Sequence, residues 1–228
     1  MSVSIRKDRR SVNIHLHRNL SHPKRVLLIY AILLYSLWSL LEMYLKTRIG
    51  VDEFAKEVYI KTALWLIPAI LIHLRFSDSM FLKKEMYSVN KSCWIAVPIM
   101  ILFTIYILLG EYLADGKLAI SESFGISTVV MVLSIGMGEE MVFRGLCLNA
   151  MLKDRKKYLA VFINALLFLA IHFPVWIQNG SFVSAFTGGG FISVLLVSCI
   201  FSAVFIRTKS IWTAFFLHFW WDLLLFLF

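Results

Sequence analysis

The sequence predicts an all-α, polytopic transmembrane bundle of about seven spans, and three observations support this prediction. The 228 residues are 60% hydrophobic and only 16% charged, and their mean hydropathy is +0.78. A soluble domain is nearer half apolar and a quarter charged. Seven apolar stretches recur along the chain, most of them close to the ~20 residues that a spanning helix needs. Trp and Tyr side chains near several ends of these stretches are typical of interfacial anchors.

The predicted spans begin and end where the apolar runs do. The first span is too long for a secretory signal and lacks its small-residue cleavage site, so we expect it to be retained. An eighth, short or re-entrant helix has room in 114–126 or 178–190. The seven stretches are 26–45, 58–74, 93–113, about 127–152, 158–177, 191–206 and 211–228.

This division predicts three regions. Residues 1–25 form a basic N-terminal arm, and residues 26–126 form N-terminal spans without a recognisable motif. Residues 127–228 form a transmembrane core that carries all of the candidate site residues.

The distribution of positive charge predicts that the N-terminus is cytoplasmic. A net charge of +9 can indicate a nucleic-acid partner, but here the positive residues lie between apolar runs, so we expect none. With the N-terminus inside, 18 of the 23 Lys and Arg residues fall in cytoplasmic segments, and the other five, Lys56 and Lys61 among them, fall outside. Cytoplasmic loops of membrane proteins carry such an excess.

Six ionisable residues remain inside the predicted spans after loops and span ends are set aside. Each costs at least ~2.5–3.5 kcal/mol on insertion scales, which makes them functional candidates. The alternative is a salt-bridge cluster that only holds helices together. The six are Glu139, Glu140, Arg144, His172, His218 and Asp222.

Helical geometry predicts that these side chains lie at similar depth. At ~1.5 Å per residue, Glu139 and His172 are both about 21–23 Å from the basic turn at 153–157, on antiparallel helices. His218 and Asp222 are roughly 14 and 20 Å from the next cytoplasmic turn.

Spacing within the helices predicts individual contacts. Glu140 and Arg144 are four residues apart and share a helix face, so we expect them to pair. Glu139 is turned by about 100° from Glu140, which leaves it as the freer carboxylate. His218 and Asp222 are also four residues apart, so the carboxylate can fix the imidazole tautomer, or both can face one site.

The residues alone leave two chemistries open. A glutamate beside two imidazoles in a dry pocket can activate water as a general base. Alternatively, Glu139, His172, His218 and Asp222 can hold a divalent metal such as Zn²⁺ with an open position.

Three motifs resemble those of the CPBP intramembrane proteases, the CAAX prenyl endopeptidase and bacteriocin-processing family that is also called Abi. "EEMVFR" at 139–144 matches EExxxR, "FLAIH" at 168–172 matches FxxxH, and "HFWWD" at 218–222 matches HxxxD/N. The resemblance covers about 127–228, and its order and spacing on successive spans make it specific.

The resemblance implies a mostly helical membrane core and endopeptidase activity. Many members are regarded as metalloproteases and others are argued to work without a metal, so both modes stay open. It implies Glu139 as the base, His172 as its assistant, and His218 with Asp222 as metal ligands or oxyanion stabilisers. The prenyl endopeptidases carry Asn where this chain has Asp222, and an anionic Asp is the better metal ligand. With the small size, this favours the bacterial immunity-type branch, a bacterial plasma membrane and a peptide or membrane-protein segment as substrate.

Three functions therefore stay open from the sequence. The first is an intramembrane endopeptidase acting on a membrane-associated peptide or CAAX-like tail. The second is a bacteriocin self-immunity protein, either non-catalytic or dependent on protease activity. The third is an ion-coupled transporter, since such relays also use acids and histidines within spans, although the chain shows no inverted repeat. The expected partners are the lipid bilayer and the substrate, and the oligomeric state is not predicted.

Overall fold

The computed structural model describes residues 22–228, which are mostly helical and contain no strand. Within them, six helices are long and apolar enough to cross a membrane, and a seventh apolar helix is shorter. The all-α, multi-pass prediction is therefore confirmed. The helices are α1 (His22–Gly50), α2 (Glu53–Ser79), α3 (Lys91–Asp115), α4 (Ile126–Asp154), α5 (Lys157–Gln178), α6 (Phe182–Thr187), α7 (Gly190–Thr208) and α8 (Ile211–Leu227).

The helices follow the predicted apolar stretches to within a few residues. The last stretch is α8, whose 17 residues extend about 26 Å at 1.5 Å per residue. Of the two places with room for an additional helix, 178–190 contains the six-residue α6. The predicted basic arm, 1–25, lies outside the described residues except for its last four, which begin α1.

Helix α5 is interrupted at Ile171 and His172, and Pro174 explains the interruption. Proline has no N–H, and its ring conflicts with the carbonyl four residues earlier, here that of Ala170. The chain makes a turn and resumes as the short helix Phe173–Gln178. His172 is thereby removed from the regular helix and lies at the break.

Helix α4 changes from α-helical to π-helical turns at Met141–Leu148. Such wide turns are rare in proteins and are frequent at functional sites. The α-helical part ends at Glu140, so the two glutamates lie directly before the wide turns.

Helices α4 and α8 form the centre of the bundle. Helix α4 packs against α2, α5, α7 and α8, and α8 also packs against α3 and α7. The approach of α4 to α8 is close at Gly136, where a Cβ atom would lie 3.5 Å from the backbone nitrogen of Phe219. Small residues at such crossings allow helix backbones to come together in membranes.

The basic connections contact one another at one end of the bundle. Lys24 at the start of α1 pairs with Asp154 at the end of α4, at 2.6 Å. The Asn90 side chain, in the α2–α3 connection, donates to the carbonyl of Thr208 at 2.8 Å. The assignment of this end to the cytoplasm stays a prediction.

Asn149 fixes the α2–α3 connection to the end of α4. The Leu82 N–H donates to Asn149 Oδ1 at 2.7 Å, and Asn149 Nδ2 donates to the Leu82 carbonyl at 2.8 Å. Asn149 is fully buried, and so is Met86 on the same connection. One amide side chain therefore satisfies the buried backbone of a segment 67 residues away in the sequence.

We expect Asn149→Leu to lower the free energy of unfolding by about 2 kcal/mol, because a buried N–H left without its partner costs roughly 1–3 kcal/mol. Tryptic cleavage at the exposed Lys83 and Lys84 should accelerate in parallel. Thermal unfolding in detergent and limited proteolysis measure the two effects. Asn179→Leu, at an exposed asparagine, is the control. Equal cleavage rates for the two variants would contradict this role of Asn149.

Candidate active site

The two glutamates of α4 are buried and face different neighbours. Glu140 is fully buried, and 7% of Glu139 is exposed. Consecutive residues of a helix point about 100° apart. Glu139 accordingly contacts Lys61 on α2, whereas Glu140 contacts Arg144 and, on α8, His218.

Arg144 holds Glu140 and connects α4 to α7. Its Nη1 donates to Glu140 Oε1 at 2.8 Å. Its Nη2 donates to the carbonyl of Ser198 at 3.0 Å and to its hydroxyl at 2.9 Å. The guanidinium also lies over the rings of Phe168 and Phe201, at 4.7 and 5.3 Å. The contact predicted from the four-residue spacing is present, and both charges are fully buried.

His218 lies at the centre of three carboxylates. Its Nδ1 is 2.7 Å from Glu140 Oε1, and because a carboxylate only accepts, Nδ1 carries a proton and donates. Its Nε2 is 3.4 Å from Asp222 Oδ2 and 3.8 Å from Glu139 Oε2. The ring stacks on Phe201 at 5.1 Å. His218 is therefore the group that links the first and third motifs.

His172, at the break in α5, has a defined tautomer. Its Nδ1 is 2.7 Å from the carbonyl oxygen of Phe168, so Nδ1 donates the hydrogen bond. In the neutral ring, Nε2 then carries a lone pair. The ring of Phe168 lies between the two histidines, 5.1 Å from His172 and 5.8 Å from His218.

A cavity of about 340 Å³ opens beside these groups. His172, His218 and Asp222 line it, together with aromatic rings and small or aliphatic side chains of α3, α5, α7 and α8. Glu139 does not line the cavity, but its Oε2 lies 3.8 Å from Nε2 of His218, which does. The other lining residues are Tyr106, Phe168, Trp176, Gly190, Ser193, Val194, Val197, Trp221 and Leu225.

Lys61 is the site residue that the sequence analysis missed. Its Nζ is 2.8 Å from Glu139 Oε1 and 2.7 Å from Glu57 Oε2. Lys56 and Lys61 are buried in α2, and the side of the membrane to which they were assigned stays a prediction. Glu139, predicted to be the freer carboxylate, is paired with Lys61 through Oε1. The four-residue spacing of Glu57 and Lys61 beside an apolar run was the available signal.

The donor atoms match the predicted metal site only in part. Among residues 22–228, no three His, Cys, Asp or Glu side chains are arranged as metal ligands. Each histidine uses Nδ1 for a protein hydrogen bond, which leaves Nε2 for a ligand, but Glu139 has one oxygen on the ammonium of Lys61. A cation already bound to the carboxylate opposes a second one by Coulomb repulsion. The metal stays a prediction, and the proposed mechanism does not depend on it.

Residues 121–224 match the family model described as type II CAAX prenyl endopeptidase Rce1-like. This model is one of the CPBP family, and the matched segment is a little under half of the chain. The resemblance read from the motifs is thus confirmed, and the Rce1-like segment contains every residue of the three motifs. No curated protein matches the chain, and no solved structure does. Helices α1–α3, and with them Lys61, lie outside the match.

We expect Arg144→Met to lower the free energy of unfolding by about 3–5 kcal/mol, because removing one partner of a buried pair leaves an uncompensated charge. Thermal unfolding in detergent, followed by Trp fluorescence, measures the loss. Addition of Glu140→Gln should recover part of it, because the unpaired carboxylate is then removed. A single variant as stable as the wild type would show that the pair does not hold α4.

Proposed function

We propose that this protein is an intramembrane endopeptidase that hydrolyses a peptide bond by means of a water activated by Glu139. The observation that carries the proposal is the convergence of Glu139, His218 and Asp222 from two helices beside the cavity that His172 lines. The match of residues 121–224 to the Rce1-like family model supports a CAAX-type protease in general terms.

The attacking water is held between Glu139 and His172. Lys61 binds Oε1 of Glu139, so Oε2 is the oxygen that takes the proton. The lone pair on His172 Nε2 accepts the other hydrogen of the same water, as its tautomer allows. A positioned base of this kind contributes typically 10²–10⁴-fold to the rate.

His218 stabilises the oxyanion. Besides Glu140, the carboxylates of Asp222 and Glu139 lie near the ring, with oxygens 3.4 and 3.8 Å from its Nε2. These acceptors favour a second ring proton on Nε2. Nδ1 then donates to Glu140 while Nε2–H is available to the oxygen of the scissile carbonyl, and one such donor is worth about 10²–10³-fold.

The reaction balances without any other group. The water oxygen bonds to the carbonyl carbon as Glu139 takes its proton, and the carbonyl oxygen becomes the oxyanion beside His218. Glu139 then gives the proton to the amide nitrogen as the C–N bond breaks. Loss of that proton returns Glu139 to its ionised form, and the products are an amine and a carboxylic acid that then ionises in solution.

The substrate is a peptide or membrane-protein segment that enters from the bilayer. The cavity is lined mainly by aromatic, aliphatic and small side chains, which suit an apolar segment beside the scissile bond. We propose a bacterial plasma membrane as the location. A panel of labelled peptides, prenylated and unprenylated, distinguishes a CAAX-like tail from an unmodified segment.

We expect Glu139→Gln to lower kcat by at least ~10²-fold, because the amide cannot take the water proton. Cleavage of the peptide panel by purified protein in detergent measures this. Glu122→Gln, at an exposed carboxylate, is the matched control. Wild-type turnover in Glu139→Gln would refute glutamate-activated hydrolysis. The same assay with a chelator tests the predicted metal.

We expect Asp222→Asn to keep kcat within roughly tenfold of the wild type, because the amide oxygen still accepts a hydrogen bond from His218 Nε2. Asp222→Leu, which cannot accept, should lose more activity. A metal ligand would behave differently: Asp222→Asn would then lose activity together with bound metal. Parallel measurement of turnover and metal content separates the two outcomes.

A further inference from the structure

Lys61 reaches the candidate active site from a part of the chain that the Rce1-like family does not cover. It lies on α2, 78 residues before Glu139, and only 3% of it is exposed. Its ammonium contacts Glu139 Oε1 and Glu57 Oε2, at 2.8 and 2.7 Å. None of the six residues singled out in the sequence contacts Glu139 at so short a distance in the described structure.

The surroundings of Lys61 hold its side chain in one place. The rings of Trp38 and Trp65 each lie 5.0 Å from its Nζ. A Cβ atom at Gly138 would be 3.5 Å from Lys61 Cγ, so the aliphatic stem runs along the face of α4 directly before the glutamates. Aromatic faces attract a cation most strongly where water is excluded.

The two helices are also fixed to each other at this level. The Ser134 hydroxyl donates to the carbonyl of Glu57 at 2.9 Å and lies 3.3 Å from the hydroxyl of Thr62. Lys61 therefore contacts Glu139 from a helix that is hydrogen-bonded to α4 and not from a loop. Catalytic groups must be held within about 0.5 Å of their productive geometry, and rigid elements achieve this best.

We propose that Lys61 is a positioning residue that orients the Glu139 carboxylate. By holding Oε1, it keeps Oε2, which lies 3.8 Å from His218 Nε2, free to take the proton of the attacking water. The inference rests on the proposed role of Glu139 and adds Lys61 as the residue that orients its carboxylate. Lys61 acts through Glu139 and does not touch the substrate.

Lys56 provides the matched comparison. It lies on the same helix, is equally buried, and pairs with Glu42, Glu53 and Glu57. Its ammonium lies 5.5 Å from the ring of Trp38. It contacts neither glutamate of α4 in the described structure, so it shares the burial and charge of Lys61 without the contact to Glu139.

The first test compares Lys61→Met with Lys56→Met in the peptide cleavage assay. We expect Lys61→Met to lower kcat about tenfold or more with KM nearly unchanged, since misplacement of a catalytic group by 1 Å can cost about 10²-fold. Lys56→Met should keep kcat within about twofold although its melting temperature falls. Equal kcat values for the two variants, or a Lys61→Met effect confined to KM, would overturn the proposal.

The second test is a double-mutant cycle on thermal unfolding, which needs no substrate. Lys61→Met, Glu139→Gln and the double variant are compared with the wild type. Residues in contact show non-additive effects, so the double variant should lose less in melting temperature than the two single variants together. Additive shifts would refute the coupling.

Failure of this inference differs from failure of the proposed function. An inactive Glu139→Gln with wild-type kcat in Lys61→Met removes the role of Lys61 and leaves the function in place. A fully active Glu139→Gln removes the proposed base and, with it, the catalytic role of Lys61. The thermal cycle then reports only whether the two side chains are paired.

Discussion

The contact between Arg144 and Glu140 carries much of the architecture of this bundle. Both side chains are fully buried, and a lone charge in such surroundings would cost several kcal/mol. The two charges compensate each other within α4. Arg144 also donates to Ser198, and Glu140 also accepts from His218. Three helices, α4, α7 and α8, are thereby connected through charged side chains. The apolar surfaces of these helices alone would give little preference for contact with another helix over contact with lipid.

Hydropathy and short-range spacing predicted a large part of this arrangement. The spans follow from the apolar runs, because only a helix satisfies the backbone in lipid. The contact of Glu140 with Arg144 follows from a four-residue separation on one helix face. The break that exposes His172 was readable in principle from Pro174, two residues further on. The depth calculation brought the motifs together because antiparallel neighbours share a bilayer of fixed thickness.

The contact of Lys61 with Glu139 could not be found in this way. Hydropathy treats a lysine near a span end as an interfacial residue, whereas the structure buries it between Trp38 and Trp65. The partner that stabilises it, Glu139, is 78 residues away in sequence. A single sequence does not indicate that two residues so far apart are in contact. The division of the chain into spans with and without motifs was therefore incomplete as a guide to the site. Helix α2, in the first half of the chain, supplies the charged side chain of Lys61 to the candidate site in the second half.

The wide turns of α4 have one further consequence. A π turn holds about one residue more than an α turn, and each residue added to or removed from a helix rotates the remainder of that helix by about 100°. The stretch Met141–Leu148 thus sets the angular phase between the glutamates before it and Asn149 after it. Loss of a single residue there would leave composition and hydropathy almost unchanged, yet it would turn the acids away from His218 or release the segment that Asn149 holds. The number of residues in this stretch is therefore a constraint in its own right, separate from their identities.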